Sequence, residues 1–71
     1  MTIDQANAIK AAYQQCCLDE SLSGDALGTH WLVMDAVERA GIKVRSTAEA
    51  MKIAAKVFEM TDEEVLKWKN R

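Results

Sequence analysis

STAEAMKIAAKVFEMTDEEVLKW, residues 46–68, carries the same start signal twice: a hydroxyl residue with Glu three positions later, at the head of an apolar repeat of helical period. Ser46 pairs with Glu49 and Thr61 with Glu64. In such a box the hydroxyl accepts a bond from an otherwise unpaired amide of the first turn, and the longer side chain reaches back to the cap residue's own amide. After the first start, Ala48, Met51, Ala54, Ala55 and Phe58 recur at steps of three or four, with Ile53 and Val57 widening the stripe. This predicts a helix from about Thr47 to Glu59, with Lys52, Lys56 and Glu59 in water. A short turn at Met60 and Thr61 then opens a further helix that carries Val65, Leu66 and Trp68 and runs to Arg71. Asp62, Glu63 and Glu64 lie at its positive end and Lys67, Lys69 and Arg71 at its negative end, as the helix dipole favours.

Upstream, Thr2 and Gln5 repeat the start signal. Ile3, Ala6, Ile9, Tyr13 and Cys16 or Cys17 draw one stripe along a predicted helix from about Ile3 to Leu18. Asp19 to Gly24, rich in Ser and acid, reads as the connecting loop, and Ser23 or Asp25 can cap the next helix. That helix, from about Ala26 to Ala40, has more apolar positions than one narrow stripe needs, among them Trp31, Leu32, Val33, Met34, Ala36 and Val37, which marks it as central or at an interface. Gly41 stands where a left-handed residue terminates a helix, and Ile42 is placed to fold back on the last turn. Gly28 marks a frayed start or a close backbone approach. No proline interrupts any of these segments. Residues 1–71 are expected to form a single helical domain, an all-α, compact three- to four-helix unit.

A chain of 71 residues hides only about 60% of the surface that its unfolded form exposes, so its core is marginal alone and self-association is a natural supplement. No run approaches the roughly 20 apolar residues of a membrane span, and the first residues lack the pattern of a secretion signal, so a cytoplasmic protein is expected. The adjacent Cys16 and Cys17 cannot form a disulfide framework and read as reduced thiols, at least one of them packed as a small hydrophobe. With His30 as the only other soft ligand, no metal site and no cofactor are expected. The net charge of −2 conceals an asymmetry. Residues 1–38 hold six carboxylates against Lys10 alone, or −5, and residues 39–71 hold eight cations against five carboxylates, or +3. A basic second half could meet phosphate or an acidic protein surface, although a solvated helical face has the same composition.

The stretch Met51 to Trp68, two helices joined by a short turn and preceded by a third, resembles the core of small helix-turn-helix DNA-binding regulators, the likeness extending over residues 46–69. Ala55 stands where that family places a small residue to let the helices cross, Met60 where an apolar residue follows the turn, Thr61 at the cap of the recognition helix, and Val65 and Trp68 at its anchors. Glu59 departs from the pattern, which has Gly at the turn. The resemblance implies a DNA-binding transcription regulator, of the compact kind found on phages or mobile elements, with Arg45, Lys52, Lys56, Lys67 and Arg71 as candidate phosphate contacts. The residues that would enter the major groove are Asp62, Glu63, Glu64 and Lys67, and the three carboxylates repel phosphate. Gly24 to Val44 is also similar to a carrier-protein segment, but Ala26 occupies the place of the serine that would hold the prosthetic arm.

Catalysis finds no constellation. His30 has no Ser or Cys at motif spacing, the three glycines are scattered, and Asp19, Glu20 and Asp25 lack the alternating acids and central glycine of a calcium loop. The sequence therefore favours a small non-enzymatic regulatory protein that binds a protein partner or itself, as a homodimer, with Trp31, Met34 and Trp68 as candidate interface anchors. DNA binding by the helix-turn-helix-like half is the alternative.

Overall fold

The computed structural model describes residues 1–23 and 27–68, and the side chains of residues 1–18 and 30–68. Four helices follow in order: α1 (Ile3–Ser23), α2 (Leu27–Arg39), α3 (Thr47–Glu59) and α4 (Asp62–Lys67). There is no strand among the described residues, and the expected all-α fold is observed. Helices α1, α2 and α3 each pack on the other two, while α4 packs on α1. The side-chain amide of Gln5, in the first turn of α1, donates to the Arg39 carbonyl at the end of α2 over 3.4 Å, so the two helices run antiparallel.

All three start signals form caps. The Thr2 hydroxyl accepts from the Gln5 amide at 3.1 Å while the Gln5 side chain accepts from the Thr2 amide at 2.8 Å. At α4, Thr61 and Glu64 make the same reciprocal pair at 3.3 and 3.1 Å. Ser46 accepts from the Glu49 amide at 3.2 Å, and here the Glu49 side chain does not return the bond. The end of α2 is also as expected. Gly41 has φ 85°, its amide donates to Glu38, and the Ile42 amide donates to Val37, the paired bonds of a Schellman termination. Ile42 then packs against the core.

Two boundaries differ from the expectation. Helix α1 does not end at Leu18 but continues to Ser23 through most of the segment read as a loop. Ser and acidic residues weaken a helix by only a few tenths of a kcal/mol each, and nothing before Gly24 breaks the hydrogen-bond ladder. Of the expected caps, Asp25 lies outside the described residues, as does the Ser23 side chain; residues 69–71 lie outside them too. Helix α4 stops at Lys67, and Trp68 takes an extended conformation with its amide bonded to the Val65 carbonyl. A six-residue helix has too few internal bonds to persist alone; its cap and Val65 hold it.

The core consists of Ala6, Ile9 and Cys16 from α1, Val33 and Val37 from α2 with Ala40 beyond it, Ala50, Ala54 and Val57 from α3, and Val65 from α4. Every one is a small or medium-sized side chain. Neither Trp, nor Phe58, nor Tyr13 is among them. No buried side-chain polar atom among the described residues lacks a partner.

Ile9 is fully buried at the meeting point of the helices, so Ile9→Ala is expected to lower stability by about 2–5 kcal/mol, measured by urea denaturation. Thr61→Ala, which removes a cap from an exposed helix start, is expected to cost about 1 kcal/mol in the same assay. Equal, small losses would mean that the core is not built around Ile9.

Candidate interaction surface

Helix α2 gives the molecule its most conspicuous surface. Val33 and Val37 are fully buried and set the inward direction; the helical period then turns Trp31 and Leu32 away from it. Trp31 remains 61% exposed and Leu32 55% exposed. Trp31, Asp35 and Glu38 form one outward stripe, and Asp35 makes a 2.9 Å ion pair with Arg39. Both members of that pair are well exposed, so it contributes little to stability.

The three anchor candidates have different settings. Trp31 is presented to solvent, Met34 is half-buried at the edge of α2 and packs on the core, and Trp68 is half-buried just beyond α4. Among the described side chains, three further exposed large apolar ones stand on other helices: Leu18 on α1, Phe58 on α3 and Leu66 on α4. Sequence periodicity put Phe58 on the apolar side of its helix, and there it leans against Tyr13, the ring centroids 5.4 Å apart and tilted by 48°. The sequence names Leu66 and Leu32 as apolar positions without marking them as exposed, because periodicity sorts positions by face and not by whether the facing volume is already filled.

The candidate phosphate contacts divide in a similar way. Arg45, Lys52 and Lys56 are exposed and form no ion pair among the described residues. Lys67 lies 3.4 Å from Glu63 one turn back. Arg71 lies outside the described residues. Lys10, absent from those candidates, spans from α1 to the turn before α4 and donates to the Met60 carbonyl at 2.8 Å. Asp62, Glu63 and Glu64 are all exposed on the first turn of α4, and that helix rests chiefly on α1. Ala55 is half-buried, and the fully buried small residues of α3 are Ala50 and Ala54.

An open depression of about 350 Å³ lies between the start of α1 and the end of α2, lined by Asp4, Gln5, Ala8, Asp35, Ala36 and Arg39. Its carboxylates have no facing base or nucleophile among the lining residues. Among the described residues no three of His, Cys, Asp and Glu gather in a way that could hold a metal ion, and no helix is long and apolar enough to cross a membrane. Cys16 is buried and Cys17 exposed. Burial raises the Tyr13 phenol above its ordinary value, and Cys17, through charge and a hydrogen bond, Cys16 and Glu59 add to the rise. No protein-family model, curated protein or solved structure matches this chain.

Thiol reagents are expected to label Cys17 in the native protein and Cys16 only after unfolding, one equivalent and then a second in a colorimetric assay; simultaneous labelling of both would contradict the burial of Cys16. Tyr13 is the only tyrosine, so its ionisation is read directly by ultraviolet absorbance and is expected above the ordinary value of 10.0. Because the folded-state value is the raised one, the associated stability is complete below about pH 10 and is lost as pH rises through the folded value; Tyr13→Phe should remove that alkaline loss.

Proposed function

We propose that this protein is a small non-enzymatic regulator that works through protein contacts, with a second copy of itself as the first partner and the outer face of α2 as the contact. The observation that carries this reading is the exposure of Trp31 and Leu32 on a helix whose inner face is already filled by Val33 and Val37. Leaving a large indole mostly in water forgoes favourable burial of apolar surface, and Trp is among the residues enriched at the energetic centres of interfaces. The marginal core of a chain this short gives association a further stabilising role. A protein without a membrane-crossing helix among its described residues, placed in the cytoplasm, would keep both thiols reduced.

DNA binding through α3 and α4 is the second reading. The Thr61 capping box and the exposed Lys52 and Lys56 favour it. Against it stand the three carboxylates of the first turn of α4, the shortness of that helix and its seat on α1. A recognition helix needs its first turns to approach phosphate and base edges, where that charge is unfavourable.

Trp31→Ala is expected to convert a dimer to a monomer in light scattering while far-ultraviolet circular dichroism stays within error of the wild type. Loss of helicity together with mass would place Trp31 in the fold of the monomer and remove the support for an interface at α2.

A further inference from the structure

Helices α1, α2 and α3 close on one another, whereas α4 rests chiefly on α1. Val65 is the one fully buried side chain of α4. Met60, in the link before it, packs half-buried against the core. From α1, the Lys10 ammonium donates to the Met60 carbonyl at 2.8 Å in a part-buried setting, joining residues 50 positions apart. The rest of α4 meets water: Asp62, Glu63, Glu64, Leu66 and Lys67 are all exposed. The Thr61 box lies within the turn it opens and forms or breaks with it. A helix of six residues has too few internal hydrogen bonds to survive away from its seat. Both link residues, Met60 and Thr61, are in extended backbone, so α3 ends before α4 begins and the two helices share no hydrogen-bond ladder.

We infer that α4 is a strap that unfolds on its own from a three-helix body, and that Lys10 is its latch. The Lys10 bond fixes the hinge from which α4 departs. Its donor is charged, and a bond of that kind contributes more than a neutral one. Release of the strap bares Val65 and the apolar seat it fills, while Val33, Val37, Ala50 and Ala54 keep their packing among α1, α2 and α3. An opening of this size requires less free energy than unfolding the whole domain. The seat of Val65 is therefore the part of the core most readily reached from outside, and the latch sets how often it opens. The strap is independent of the pairing proposed for α2.

Hydrogen exchange of single amides, followed by NMR, tests both parts of this inference. The Val65 amide donates to the Thr61 carbonyl and the Trp68 amide to the Val65 carbonyl, so these two report the strap. The amides of Ile9, Val37 and Ala54, inside α1, α2 and α3, report the body. In the wild type the strap amides should exchange at least about tenfold faster than the body amides. They should also respond less steeply to urea, because opening α4 exposes less surface than global unfolding. Lys10→Met keeps an unbranched apolar stem but removes the donor, and should speed exchange at Val65 and Trp68 by about tenfold. Val33→Ala, on α2, should speed the body amides and leave the strap amides unchanged, since the contacts of Val33 survive the release of α4. Strap amides as slow as the body, with the same urea slope, would show that α4 opens only with the whole domain and would overturn the strap; this comparison needs the wild type alone. Strap amides accelerated together with the body by Val33→Ala would do the same. Exchange at Val65 and Trp68 unmoved by Lys10→Met would overturn the latch.

Discussion

The small size of the core side chains is the constraint behind the other features of the molecule. Ala6, Ala50 and Ala54 stand where larger residues would hold the helices apart, and Ile9, Val33, Val37, Val57, Val65 and Cys16 fill the remaining space. Close-packed interiors admit little extra volume, so the large side chains are placed at the boundary or beyond it. Tyr13 and Phe58 lean on each other at the edge of α1 and α3, and Trp31 is displaced to the outer face of α2. The surface that can act on a partner is thus the complement of the packing that makes the fold. The same packing leaves α4 as an appendage on α1, stapled by the Thr61 box, Val65 and the bond from Lys10 to Met60.

Much of this architecture was legible because it depends on neighbours three to five residues apart. The boxes at Thr2 and Thr61, the Ser46 cap and the Gly41–Ile42 termination are local contests for backbone hydrogen bonds, decided by the residue types that make them. The long extent of α1 was not legible: a run of Ser and acidic residues looks like a loop by composition, while the ladder continues wherever no residue forbids it. The early end of α4 was hidden for the opposite reason, since good helix formers cannot sustain a helix that too little tertiary contact supports. Which apolar residues stay outside depends on the volume left by the other helices. The surplus of apolar positions on α2 left open whether that helix is central or at an interface, and only the buried Val33 and Val37 identify Trp31 and Leu32 as the positions left exposed.

Charge bears on the two proposed readings as much as burial does. A chain of net charge −2 has no general attraction for nucleic acid, and the cations on α3 are offset by the carboxylates that open α4. The proposed self-association would bury the indole and enlarge a core that is small for independent stability. DNA binding would bring three carboxylates towards phosphate.

Whether this chain acts through contact with a second copy is decided by its mass in solution, read by light scattering for the protein alone and then with mixed duplex DNA at low salt. A homodimer through α2 gives twice the 7.9 kDa chain mass in both cases, unchanged by the nucleic acid. A 7.9 kDa particle that gains mass only when DNA is added, and loses it again with salt, would contradict it.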